Sequence, residues 1–443
     1  RVTGGAGTGK TVVALHRAVH LARSDTSGPI LLTTFSKTLA KRLVPMLDLL
    51  MDPDEPGRDR IQIVHLHHYA AEAWKEHHQR PLIIATSASE LAPLVRRALT
   101  NAGAADLDPS EFISEWTHVI DAEGIGSRGD YLAAKRTGRR TPLSPAERER
   151  IWNVHEALVE VLAERDVTTF ARLCHEVGTM HTSGDAPPFR HVVADEAQDF
   201  GPAELRLLRS LAPEVDDDLF LVSDPGQRIY QGPTSLLAAG IDVRGRSSVL
   251  RVNYRTTEQI RRYADRLLPA TFAEADGEEQ RERIVSMVRG PEPDIVVKDR
   301  ASEEIDEATR WLKDRLKNGY RPEEIGIFAR TNRLVRNRAT KIVRNCGLEP
   351  YELRADDGPT ERRVSVGTMH RAKGLEFKVV LVVGCEEGVL PSPGALETGR
   401  ANGTADVALQ RERNIFYVAC TRPRDRLFVS GAGELTRFTK HNP

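Results

Sequence analysis

The stretch Gly4-Gly5-Ala6-Gly7-Thr8-Gly9-Lys10-Thr11, followed at once by Val12-Val13-Ala14-Leu15, decides the fold. It fills every fixed position of G-x-x-x-x-G-K-[ST], and a helical run follows directly. In such a loop the backbone N–H groups wrap a polyphosphate, the lysine neutralises the β and γ oxygens, and the threonine hydroxyl holds Mg²⁺. Far downstream, the apolar run His191-Val192-Val193-Ala194 ends in Asp195 and Glu196. One carboxylate there suits the metal and the next suits a water, which is what in-line attack on a γ-phosphate requires. Loop and carboxylates together predict a nucleoside triphosphate hydrolase. Gly4 to Val12 would bind the nucleotide, Thr11 and Asp195 the metal, and Lys10, Asp195 and Glu196 would carry the chemistry.

Composition narrows the class. A length of 443 residues suggests roughly two to four domains. Lys plus Arg number 63 against 64 Asp plus Glu, a net charge of −1, so no global basic field announces nucleic acid and any polyanion site is local. Cys174, Cys346, Cys385 and Cys420 form no C-x-x-C pair. That spacing argues against a zinc ribbon or disulfide framework and fits a reducing cytoplasm. No apolar stretch approaches the roughly 20 residues needed to span a bilayer. The expectation is a cytoplasmic, monomeric protein without a membrane partner. Arg1-Val2-Thr3 reads as the tail of a strand, and since Arg1 is not a methionine the natural protein is expected to begin earlier, with a further N-terminal region.

Short β-rich runs alternate with helical segments, the pattern of parallel sheets covered by helices. In the first half the expected strands are Ile30 to Thr34, Ile61 to Val64, His191 to Ala194, Leu219 to Val222 and Val249 to Val252. A long stretch without strand character lies between the second and third and reads as a helical insertion. The acidic run Glu274 to Glu279 reads as a linker to a second set: Ile295 to Val297, Ile325 to Phe328, Val364 to Val366, Val379 to Val383 and Leu427 to Val429. The fold class is α/β, with two parallel-sheet domains and a helical insertion in the first. The expected bounds are 1–66 with 165–255 for the first domain, 67–164 for the insertion and 256–443 for the second domain. The second domain has no glycine-lysine loop, so the nucleotide is expected in the cleft between the two.

Four further blocks carry a resemblance. They are Phe220-Leu221-Val222-Ser223-Asp224-Pro225-Gly226-Gln227-Arg228-Ile229-Tyr230, Asn253-Tyr254-Arg255, Gly367-Thr368-Met369-His370-Arg371-Ala372-Lys373-Gly374-Leu375-Glu376-Phe377, and Gln410 through Arg422. In this order, behind the phosphate loop, they resemble the UvrD/Rep/PcrA branch of superfamily 1 helicases over nearly the whole chain. The resemblance implies two RecA-like domains and ATP as the nucleotide. It implies that Gln227 senses the γ-phosphate, that Tyr254 stacks on adenine, and that Gly374 and Glu376 lie at the ribose. Arg255 and Arg422 would spread the charge on the transferring phosphoryl group, a task suited to a fork that stays charged and binds phosphate bidentately. Single-stranded DNA is the implied polymer, RNA not being excluded, and Phe35, His65, Tyr230, Thr368 and His370 match strand-contacting positions; His67 competes with His65 for one of them.

The chain departs from that pattern in three places. Gln231-Gly232-Pro233 stands where a tryptophan follows Tyr230 in the family. Between Phe328 and Val364 there is room for one helix and a connection, or a stub around Asp356-Asp357-Gly358, where the family places a large helical domain. The glutamine that reads adenine would precede Arg1. The leading expectation is a 3′-to-5′ single-stranded-DNA translocase or helicase, in repair or recombination. Two alternatives are a HelD-like ATPase that remodels RNA polymerase or another protein complex, against which no sustained heptad is visible, and the motor of a larger nuclease or defence machine.

Overall fold

Val2–Gly4 is an interior strand, and its pairing organises the first sheet. The order is Ile61–His65, Ile30–Thr34, His191–Asp195, Leu219–Ser223, Val2–Gly4 and Ser248–Leu250, every neighbour parallel. This is a computed structural model, and it describes residues 1–24, 28–136, 142–184, 186–230, 232–280, 283–354 and 360–439. Ile30–Thr34 and His191–Asp195 are buried at every position, as strands covered on both faces must be. Side chains alternate between faces. Ile30, Leu32, Val193 and Val222 pack under the helix Lys10–Arg23. Leu31, Val192, Ala194 and Leu221 face the other way, onto a core with Leu173, Val177, Leu205 and Leu208.

The helical insertion leaves and returns through a narrow neck, where Ile83–Ile84 pairs with Val167–Thr168. Its helices, among them Ala88–Asn101, Pro109–Glu115 and Pro145–Glu164, close on their own core around Trp116, Tyr131 and Leu158. Ser144 and Glu147 form a capping box at the start of the last of these, satisfying free N–H groups.

The second sheet is also all parallel, in the order Asp294–Lys298, Pro423–Ala432, Phe377–Val382, Ile325–Ala329, Val364–Thr368 and Pro350–Glu352. The helix Ala405–Cys420 buries Ile415 through Cys420 against it. Cys174, Cys385 and Cys420 are buried and all four cysteines are free. No helix among the described residues is long and apolar enough to cross a membrane.

The structure corrects four readings. The acidic run is a hairpin of Thr271–Glu274 and Gly277–Gln280 rather than a linker. Gly277 makes the turn at φ 132°, and Asp276 accepts hydrogen bonds from Ser235 and from the Leu237 N–H, contacts that an acidic composition does not reveal. The helix Leu66–His78, read as the start of the insertion, buries Leu66, Ala70, Ala71 and Trp74 in the first sheet's core, because its apolar stripe faces Phe189 and Val192. The strand expected at Val249 to Val252 is broken: Ser248–Leu250 stays in the sheet, while Val252–Asn253 leaves it to pair with Val285–Ser286. The edge strand Pro350–Glu352 was missed, being short and carrying a proline. The stub expected around Asp356-Asp357-Gly358, and Gln231, lie outside the described residues.

Candidate nucleotide site and adjoining groove

Gly7 and Gly9 take φ of 79° and 84°, left-handed backbone that glycine adopts without strain. The turn is braced from outside, since the Asn253 amide donates to the Ala6 carbonyl at 2.9 Å. A Cβ on Gly7 would come within 2.5 Å of Asn253 Oδ1. The chain then enters the helix Lys10–Arg23, with Val12 half exposed on its first turn. Lys10 Nζ is saturated by protein oxygens. It donates to the carbonyls of Gly4 and Gly5 at 2.9 Å each and to Asp224 Oδ2 at 3.2 Å.

Asp195 and Glu196 sit where their strand leaves the sheet. Thr11 Oγ1 donates to Asp195 Oδ2 at 2.7 Å. Burial, reinforced by the neighbouring Glu196, pushes the Asp195 carboxyl up to about 6. A fully buried carboxylate beside a hydroxyl is a fitting pair of oxygen ligands for Mg²⁺, which takes few protein ligands and completes its shell with water and phosphate. Among the described residues no cluster of three His, Cys, Asp or Glu side chains could hold a metal by itself.

Glu196 is in the left-handed region at φ 55°, ψ 37°, a conformation that costs a non-glycine residue about 1–3 kcal/mol and is kept where the surroundings impose it. Here its N–H is tied to Asp195 Oδ1 at 2.9 Å, and its carboxylate accepts from the Gln198 side chain. Burial raises its pKa, yet Lys373 at 3.8 Å, Lys10 and Arg422 outweigh that and hold it below the ordinary carboxylate range. It is therefore ionised.

The second domain reaches across. Arg422, 3% exposed, donates to Gln227 Oε1 at 2.8 Å, and Gln227 in turn donates to Asp224 Oδ2 at 2.6 Å. Burial and the nearby Arg255 lower the Arg422 pKa to about 10, so it stays charged at neutral pH. Arg255 pairs with Glu376 at 2.5 Å and donates to the Thr421 carbonyl at 3.3 Å. Glu376 is thus engaged by an arginine rather than presented alone. Gly374, at φ 76°, offers its carbonyl to Arg42 of the first domain. Tyr254 is 66% exposed, with its N–H on the Gly7 carbonyl at 3.0 Å, so its ring stands free beside the phosphate loop.

Several organising residues escaped the sequence reading. Lys373 is the hub: it pairs with Asp199, lies 3.8 Å from Glu196, donates to the Gln227 carbonyl at 2.6 Å, and sits 5.5 Å over the Tyr230 ring. It lay within a quoted block, but nothing in spacing tells which carboxylate a lysine will meet. Asp224 and Asn253 are equally central and were also passed over as parts of blocks.

Around the groove, Phe35 stacks on Tyr230 with centroids 5.4 Å apart. His67 packs edge-on to Phe35, stacks on Phe170 at 4.1 Å and bonds Glu204 at 2.9 Å. It is a core residue, and the less buried His65 lies beside it with centroids 5.4 Å apart. Thr368 ends the strand Val364–Thr368 of the second domain, and His370 lies in the short helical turn Met369–Ala372 that follows. Burial, aided by Arg330, lowers His370 to about 4 and keeps it neutral. Arg411 of the second domain donates to the Tyr230 carbonyl at 3.1 Å, and Asn414 to that of Arg228 at 2.8 Å. Side chains of both domains therefore meet at Tyr230.

Comparison with known proteins agrees with this arrangement. Residues 1–231 match the UvrD/REP helicase N-terminal domain, and residues 335–434 match the UvrD-like helicase C-terminal domain. DNA helicase IV of Escherichia coli (strain K12) is 24% identical over 503 aligned positions, covering 100% of this chain and 66% of that protein. ATP-dependent DNA helicase PcrA of Staphylococcus aureus (strain MRSA252) is 40% identical over 77 positions, 17% of this chain and 10% of that relative. The chain spans just under two thirds of the first relative's length, and the matched segment a tenth of the second's. With a phosphate loop, a buried Asp-Glu pair and two parallel sheets meeting over them, the chain belongs to the UvrD/REP helicase family.

Proposed function

We propose that this chain is a Mg²⁺-dependent ATP hydrolase that drives 3′-to-5′ movement along single-stranded DNA, a cytoplasmic monomer working in repair or recombination. The observation that carries the reading is one unbroken run of polar contacts, Lys10 to Asp224 to Gln227 to Arg422, from the phosphate loop to the second domain. Membership of the UvrD/REP family supports ATP as the fuel and DNA as the polymer.

The residues divide the work. Backbone N–H groups from Gly5 to Thr11 and Lys10 receive the phosphates; Thr11 and Asp195 would hold Mg²⁺, which when bound neutralises phosphate charge. Glu196, ionised and fixed by Gln198, accepts the proton of the attacking water. Arg255 and Arg422 stabilise charge developing on the transferred group, and Tyr254 stacks on the base. Gln227 and Lys373 pass the state of that site to Tyr230, where Phe35 and Tyr230 grip bases by stacking.

The test is steady-state ATP hydrolysis without polymer and with single-stranded DNA, RNA or duplex, at several salt concentrations. Strong, salt-sensitive stimulation by single-stranded DNA is expected, because phosphate contacts release counterions. Hydrolysis indifferent to every nucleic acid would end the reading. Streptavidin displacement from one or other DNA end then reports the direction.

A further inference from the structure

Lys10 has three N–H donors, and all three are occupied by protein: two by loop carbonyls and the third by Asp224. The Lys10–Asp224 pair is shut away from water, its side chains 7% and 5% exposed. Asp224 is itself fully engaged. Its Oδ2 also accepts from Gln227, its Oδ1 accepts from the Gly226 N–H at 3.1 Å, and its own N–H is on Gln198 Oε1 at 2.8 Å. Gln198 is the residue that holds Glu196, and Gln227 the one that holds Arg422. The Asp224 carboxylate therefore touches Lys10 directly and Arg422 through the Gln227 amide, while the Asp224 backbone N–H reaches Glu196 through Gln198.

We propose that Asp224 is a counter-ion lock on Lys10, a positioning residue that competes with the phosphate oxygens for the ammonium; the inference rests on the nucleotide reading above. A β- or γ-phosphate must draw Lys10 away from Asp224. The Asp224 carboxylate then keeps only the Gln227 amide and the Gly226 N–H, so Gln227, and Arg422 behind it, feel the arrival of phosphate through a side chain that never touches it. The lock lowers nucleotide affinity, since binding competence is taxed by the fraction of time the lysine is held. In exchange it ties the orientation of Gln227 and Arg422 to the occupancy of Lys10.

The sign of the effect on binding separates a lock from a mere structural prop. Titrating wild type and Asp224→Asn with fluorescent MgADP and with MgATPγS should show the variant binding about tenfold tighter, with KM for ATP lowered and kcat lowered too. The gain should vanish in a Lys10→Ala background; a gain of equal size there would assign it to charge repulsion and overturn the lock. Equal or weaker binding by a folded Asp224→Asn protein would overturn it as well. If circular dichroism shows that the asparagine variant does not fold, Asp224→Ser keeps a cap acceptor for the Pro225–Gln227 turn and carries the same expectation. Wild type that binds neither nucleotide would instead remove the nucleotide reading itself.

Discussion

The guanidinium of Arg422 and the side-chain oxygen of Gln227, 195 positions apart in the chain, meet at 2.8 Å across the two domains. Gln227 belongs to the turn after a first-sheet strand, and Arg422 lies between the helix Ala405–Cys420, which packs on the second sheet, and the strand Pro423–Ala432 of that sheet. The pair joins the two domains at the site through side chains alone.

The phosphate loop and the base fail in different ways. Lys10→Ala is expected to abolish turnover and weaken nucleotide binding. Glu196→Gln should leave binding intact while hydrolysis stops, because it removes only the proton acceptor. Equilibrium binding and single-turnover hydrolysis check the pair, and a Glu196→Gln enzyme with normal turnover would exclude water activation there.

Arg255→Ala and Arg422→Ala should each lower kcat by about 10³ or more if both stabilise the transferring phosphoryl group. Arg422→Lys should restore little, since Arg422 uses several guanidinium donors at once, on Val418, Gln227 and Thr421. Losses under tenfold in both alanine variants would take the role away from them.

Lys373→Met is expected to uncouple the polymer from hydrolysis. Its ammonium lies between the Tyr230 ring and the Glu196 and Asp199 carboxylates. The ratio of DNA-stimulated to basal ATP hydrolysis should fall several-fold, with nucleotide affinity little changed; an unaltered ratio would show that the coupling runs elsewhere.

Tyr230→Ala and Phe35→Ala should weaken single-stranded-DNA binding by about 1–3 kcal/mol each, the cost of one lost stacking platform. Because the two rings stack on each other, the double variant should lose less than the sum. Fluorescence anisotropy with a short oligonucleotide reads both; additive losses would place the rings at separate bases.

Stability should carry a pH signature from the neck of the insertion. Asp121 accepts from the Thr169 hydroxyl at 2.7 Å, and burial pushes its carboxyl up to about 7. The unfolded chain releases this proton near pH 4 (about 3.9 for a free Asp), so between about 4 and 7 the folded protein binds more protons and stability falls as pH rises. Asp121→Asn stays neutral, and its melting temperature minus that of wild type should be larger at pH 8 than at pH 5. A difference independent of pH would mean that Asp121 is ionised throughout.

Much of this molecule is legible in one dimension. The phosphate loop is a contiguous run, and its glycines declare their backbone. Apolar runs such as Ile30 to Thr34 and His191 to Ala194 declare buried strands because both faces of a covered sheet exclude water. The hairpin at Thr271–Gln280 was not legible, because its strands are acidic and its turn is held by contacts with Ser235 and Leu237.

The order of residues along the chain thus determined which chemical groups exist and which stretches are strand or helix, since those depend on near neighbours and periodicity. Only the tertiary structure decided that Lys373 would face Glu196 and Asp199, that Asp224 would stand between Lys10 and Gln227, and that His67 would be a core residue bonded to Glu204. Several of these partners are separated by well over a hundred positions, and charge pairing in a buried cleft depends on distance in space. That distance is set by how two sheets pack, which no local pattern encodes.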